Sequence, residues 1–171
     1  RTSAQQQVFI EFQGKTAHAG NTPWEGRSAL DAVELFLHGV NNMREHVKPS
    51  ARIHYVIREG GKAANIVPER ASVQLTFRGE SRGDVNAGVE WLEQIANGAA
   101  RMTQTSTLFV PYYGMYDLLP NRPLAERMQK HLETIGVTRF SEDEQNFAKS
   151  LQTEVALEAT GMLEVLPPIP D

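Results

Sequence analysis

Val8, Ile10 and Phe12 alternate with Glu11 and Gln13, the two-residue period of a half-buried strand. Phe9 gives its second face an apolar residue as well. The period then changes. Ala29, Val33, Phe36, Leu37, Val40 and Met43 recur at helical spacing and predict a helix from Arg27 to about His46. Ahead of it, Thr22-Pro23-Trp24-Glu25 reads as an N-cap, a proline at the first helical position and a capping-box glutamate, weakened by Gly26. Pro49 closes this unit, and a second strand runs from Arg52 to Arg58 with Ile53, Tyr55 and Ile57 on one face. Gly60-Gly61 breaks it. After Pro68, Ala71, Val73, Leu75 and Phe77 alternate with Ser72, Gln74, Thr76 and Arg78 as a third strand. A second helix is predicted from about Asp84 to Ala100, with Val85, Val89, Leu92, Ile95, Ala96 and Ala99 on its apolar side. A less regular, Thr-rich fourth strand covers Thr103 to Val110.

Strand, helix, strand, strand, helix, strand is the ferredoxin-like βαββαβ order. The expected class is therefore α+β: an antiparallel sheet with two helices on one face, filling 1–114. The remainder differs. Asn121 caps a helix striped by Leu124, Met128, Leu132 and Ile135 and ended by Gly136. Ser141 and Glu144 form a capping box for a second helix through Phe147, Ala148, Leu151 and Val155. These C-terminal helices occupy 115–160. The stretch 161–171, with Pro167, Pro168 and Pro170, reads as extended or disordered.

Composition narrows the function classes. The 171 residues are 40% hydrophobic, enough for a core without covalent staples. Lys and Arg total 17 and Asp and Glu total 21, a net charge of −4 that argues against a nucleic-acid footprint. No cysteine is present, which excludes disulfides, thiolate catalysis and Cys-based zinc sites and fits a cytoplasmic location. No apolar run is long enough to span a membrane. The start lacks both an initiating Met and the apolar centre of a signal peptide, so the expectation is a chain that begins inside a longer protein.

Motif chemistry is sparse. His18, His38, His46, His54 and His131 are scattered and form no His-Glu-x-x-His or His-x-His pattern, so no metal site is expected in this chain. Three residues stand out by position. His18 lies in a Gly-flanked loop after the first strand, Asn65 in the Gly-rich connection after the second, and Arg78 on the polar face at the end of the third. Each alone is better read as a solvated or locally hydrogen-bonded residue.

Their company changes that. Phe12-Gln13-Gly14-Lys15-Thr16-Ala17-His18-Ala19-Gly20 followed by Pro23, Gly26 and Ala29, then Gly60-Gly61, Asn65-Ile66-Val67-Pro68 and Arg78, resembles the lid and dimerisation domain of the co-catalytic zinc exopeptidases and amidohydrolases. That family includes aminoacylases and glutamate carboxypeptidase. Pro23-Trp24-Glu25-Gly26-Arg27-Ser28-Ala29-Leu30-Asp31-Ala32-Val33-Glu34-Leu35 is similar to its aminobenzoyl-glutamate hydrolase type.

The resemblance implies roles. His18 matches the lid histidine that stabilises the oxyanion, usually in the partner subunit's active site, a donor worth about 10²- to 10³-fold in rate. Asn65 matches a polar contact to substrate, and Arg78 matches the arginine that grips a terminal carboxylate. Gly60 and Gly61 would let the backbone turn close to ligand. It further implies a homodimer through this domain, a catalytic domain elsewhere that holds zinc or manganese, and a small carboxylated substrate such as an N-acyl or aminobenzoyl-glutamate compound. The stretch 115–160 would lead back toward that catalytic domain, and this chain alone would be inactive. A non-enzymatic ferredoxin-like module for ligand sensing or protein association is the alternative, since the fold hosts many functions.

Overall fold

The computed structural model describes residues 3–169. Arg1, Thr2, Pro170 and Asp171 lie outside the described residues, so the end of the expected extended tail is not covered. The chain divides into two compact units, one up to Leu118 and one from Leu119.

In the first unit the alternating segments become four strands: β1 (Ala4–Gln13), β2 (Arg52–Glu59), β3 (Arg70–Gly79) and β4 (Ser106–Met115). The helical stripes become α1 (Ala29–Met43) and α2 (Arg82–Thr103). The sheet order is β2-β3-β1-β4 and every pair is antiparallel. This is the expected ferredoxin-like arrangement. Val8, Ile10 and Phe12 of β1 and Val73, Leu75 and Phe77 of β3 are buried against Val33, Phe36 and Val40 of α1 and Val85, Leu92 and Ala96 of α2. Phe12 and Phe36 meet with ring centroids 6.0 Å apart at 52°, a favourable tilted pairing. Each such large apolar side chain contributes roughly 1.5–3 kcal/mol by leaving water.

Local chemistry decides the helix ends. The Thr22–Glu25 capping box does not form: Pro23–Glu25 is a single 3-10 turn, and Thr22 makes no side-chain cap. The cap of α1 is Ser28, whose Oγ accepts the Asp31 amide at 3.1 Å. The backbone turns extended at Gly26, φ −88° and ψ 165°, and ends the earlier turn before it can propagate. At its other end, α1 passes into a 3-10 turn over Arg44–His46. Helix α2 starts earlier than its stripe suggests, with Ser81 as cap, and takes in Thr103, which the sequence pattern places in the fourth strand. Strand β4 begins after it, and its register against β1 shifts between Gln7 and Val8, a bulge that accounts for its irregular pattern.

The face expected for β2 is only partly buried. Ile53 is 3% exposed, but Tyr55 and Ile57 are 38% and 44% exposed. The helices pack on β1, β3 and β4, and the edge strand extends beyond them.

The other face of the sheet holds an ion pair with one buried partner. Glu11, 5% exposed, accepts hydrogen bonds from Arg70 and from Gln13 Nε2 at 3.1 Å. The Arg70 guanidinium beside Glu11 holds its carboxyl below the usual carboxylate range, against the opposing effect of burial, and Gln13 assists.

In the second unit, α3 (Arg122–Ile135) is capped by Asn121 and ended by Gly136 at φ +83°, as expected. Helix α4 (Glu142–Glu154) carries the Ser141–Glu144 capping box with both hydrogen bonds made. The stripe of α3 is not buried: Leu124, Met128 and Ile135 are 60%, 62% and 81% exposed. After α4, Gly161 N donates to Gln152 Oε1 at 2.8 Å and Met162 N to Gln145 Oε1 at 2.8 Å.

Two of these features have measurable consequences for stability. Gly88 of α2 lies so close to β3 that an added Cβ would sit 2.3 Å from the buried Phe77 ring. Gly88→Ala should therefore destabilise by about 1–3 kcal/mol, although alanine is the better helix former by about 1 kcal/mol. Urea unfolding reads this, and an unchanged or raised midpoint contradicts the close approach. The lowered Glu11 pKa means that its pair stabilises the fold fully above the unfolded carboxylate value of about 4.3 and is lost as pH falls through the lower folded value. The stability gap between wild type and Glu11→Gln should stay constant above about pH 5 and shrink below about pH 4.3 in thermal unfolding at graded pH.

Candidate functional site

Strands β1 and β3 pair over their whole length, from Ala4 opposite Gly79 to Gln13 opposite Arg70. The pairing does not stop at the strand ends. Gly14 N donates to Glu69 O at 2.8 Å, Val67 N to Ala17 O at 2.9 Å, and Ala19 N to Asn65 O at 3.0 Å. His18 thereby sits in an isolated bridge with Ile66. The loop after β1 and the connection between β2 and β3 are zipped together as a looser continuation of the central strand pair. His18 and Asn65 end up as neighbours at its tip, both exposed.

The loop is braced from its other side. Lys15 and Arg27 exchange two backbone hydrogen bonds at 2.8 Å each, and Ala29 N donates to Pro68 O at 2.8 Å. An added Cβ on Gly14 would fall 1.9 Å from the Arg27 carbonyl oxygen, so the crossing requires glycine there. Gly61 is at φ +110°, and a Cβ on it would meet Pro68 at 2.9 Å. That fits a residue needed to turn the backbone toward Asn65. Gly60 is exposed and unstrained.

The His18 ring is oriented by its own loop. Nδ1 accepts the amides of Gly20 at 3.1 Å and Asn21 at 3.2 Å. A neutral imidazole with Nδ1 engaged as acceptor carries its proton on Nε2. Nε2, which makes no hydrogen bond among the described residues, is then a free donor. That suits a group that stabilises developing negative charge.

Arg78 is elsewhere. It pairs across the sheet with Gln5 and Arg52, at the opposite end of β3 from Arg70. At roughly 3.3 Å per residue, the two ends are on the order of 25 Å apart. Arg78 is exposed and, among the described residues, its side chain has no ion-pair or hydrogen-bond partner. The structure brings His18 and Asn65 together, with Gly61 earlier on the same connection, and does not bring Arg78 to them within one chain.

Among the described residues, no group of three or more His, Asp or Glu side chains is arranged to hold a metal ion. No described helix is long and apolar enough to cross a membrane. The Glu11–Arg70 pair behind the His18 corner carries no sequence signal of its own. Both residues are visible as charges on or beside strands, but only the register places them together.

A family model described as a peptidase dimerisation domain matches residues 5–103. A p-aminobenzoyl-glutamate hydrolase chain of Escherichia coli is 39% identical over 153 residues, 89% of this chain and 32% of its own length. Xaa-Arg dipeptidase of Mus musculus is 30% identical over 141 residues, 82% of this chain and 33% of its own length. Among solved structures, an aminobenzoyl-glutamate utilization protein from Klebsiella pneumoniae aligns with a TM-score of 0.65 at 22% identity, over 77% of this chain and 33% of that one. That likeness shows the fold. The chain spans about a third of the length of the curated relatives it matches. With the match running from β1 to the last turn of α2, this chain belongs to the peptidase dimerisation domain family.

Proposed function

We propose that this chain is the lid and dimerisation part of a metal-dependent amidohydrolase or peptidase. Its substrate would be a small carboxylated amide, an N-acyl or aminobenzoyl-glutamate compound. The names of the relatives support a hydrolase acting on such amides. The zinc or manganese ion does not fit the described residues, which offer no ligand cluster. Its site belongs to the rest of the enzyme. The lid residues bind and polarise. His18 donates from Nε2 to the oxyanion, Asn65 contacts the substrate through its amide, and Arg78 holds the terminal carboxylate. Gly60 and Gly61 leave room for ligand beside the backbone.

The observation that carries this reading is the separation of Arg78 from the His18–Asn65 corner. One chain cannot place all three on a small molecule, but two can. Strand β2 is a sheet edge with Tyr55, Val56 and Ile57 exposed. An edge of this kind can pair with its twin about a two-fold axis. Such pairing is antiparallel, so the His18 end of one copy would lie beside the Arg78 end of the other. The homodimer would thus complete a site that each chain leaves divided.

The test is complementation between protomers in the intact enzyme. His18→Ala and Arg78→Ala should each lower activity by about 10²-fold or more. Mixed dimers of the two should recover on the order of a quarter of wild-type activity, because half the dimers are hybrids with one intact site. No recovery would contradict the shared site. This chain alone should not hydrolyse aminobenzoyl-glutamate, and turnover by it would contradict the assignment of the metal chemistry to another domain.

A further inference from the structure

The corner that holds Arg78 contains a second arginine. Arg52 lies directly opposite Arg78 across the β2–β3 pair, so the two side chains share one face of the sheet. His54, two residues along β2, is on the same face and opposite Thr76. Arg52, His54 and Arg78 are all exposed. Like charges placed directly opposite across two strands oppose folding. Here they stand in a chain of net charge −4, with no acidic partner among the described residues.

Of the nearby acids, Asp84, Asp117 and Glu11 are engaged elsewhere, and Glu80 makes no ion pair with either arginine. Asp84 pairs with Lys48 at 2.7 Å. Glu80 lines the recess that those two residues share. Asp117 accepts the Arg82 amide at 3.0 Å. Glu11 is taken by Arg70.

Arg52 is also positioned. One amino group, Nη1, donates to Pro49 O at 2.6 Å and to Ala51 O at 2.7 Å. Nε and Nη2 remain free to donate. A guanidinium already tethered loses less freedom on meeting a ligand. A like-charged pair with free donors is an anion site that the fold does not fill itself.

We propose that Arg52 and Arg78 form a dicarboxylate subsite, so that the terminal residue of the substrate is aspartate- or glutamate-like and not basic. This rests on the reading of Arg78 as the carboxylate-gripping residue and adds Arg52 as a specificity-determining one. One guanidinium forks onto the α-carboxylate and the other meets the side-chain carboxylate. A cationic side chain at that position would face two uncompensated positive charges. Of the two kinds of compound in the relatives' names, glutamate amides and Xaa-Arg dipeptides, the corner suits the first.

The experiment is an NMR titration of this chain at low ionic strength, following the arginine Nε–H signals, with N-acetyl-glutamate and with N-acetyl-arginine. The Arg52 and Arg78 signals should shift saturably with N-acetyl-glutamate, at a Kd lower than that for N-acetyl-arginine by about ten-fold or more. Arg52→Gln should bring the two to within about two-fold while the backbone amide spectrum stays folded, and Arg52→Lys should keep part of the preference. Equal affinities in the wild type, no saturable shift, or an undiminished preference in Arg52→Gln would each overturn the proposal. The titration needs one chain only. Its failure leaves the shared-dimer site standing, and failed complementation leaves this subsite standing.

Discussion

The pairing of β1 with β3 is the constraint on which the rest of the molecule depends. These are the two inner strands of the sheet, and their ten-residue register sets which side chains face the helices. The same register continues past the strand ends through the hydrogen bonds that join Gly14 to Glu69, Ala17 to Val67 and Ala19 to Asn65. Two loop residues far apart in sequence are thereby held together by backbone bonds and not by side-chain chance. The length of the pair also separates Arg78 from them. One interaction assembles half of the candidate site and sets the distance to the other half.

Packing makes that pairing rigid enough to matter. Phe12 and Phe77, at opposite ends of the pair, are both sealed under the helices. The backbone of α2 comes close to Phe77 only because residue 88 is glycine. On the other face, Arg70 ties Glu11 of β1 to the start of β3, just before the His18 loop. An ion pair with one partner so buried costs much to break from one side. It therefore holds the strand ends in register where the loops depart.

The four strands and two helices of the first unit were legible because their burial follows local periods. Every alternating apolar residue from Ala71 to Phe77 is buried. Helix starts were less legible. Thr22–Glu25 has the better capping formula, yet Ser28 caps the helix because the backbone turns extended at Gly26 and stops the earlier turn. Tyr55 and Ile57 alternate like core residues but lie on an edge beyond the reach of the helices, a fact of tertiary placement that no local period carries. The site divided in the same way. His18, Asn65 and Arg78 stood out by motif, but their grouping and the Arg52–Arg78 apposition depend on register between strands.

In the proposed dimer, two copies bring the His18 corner of one chain to the Arg78 corner of the other. The chain has no cysteine, so introduced cysteines label cleanly. Chains spin-labelled at position 21, beside His18, can be mixed with chains labelled at position 80, beyond Arg78, and the distance between labels measured by pulsed dipolar spectroscopy. The inter-chain distance should be shorter than the intra-chain separation of the same two positions, itself on the order of 25 Å or more. An absent inter-chain signal at concentrations where the chain is dimeric, or an inter-chain distance longer than the intra-chain one, would contradict it.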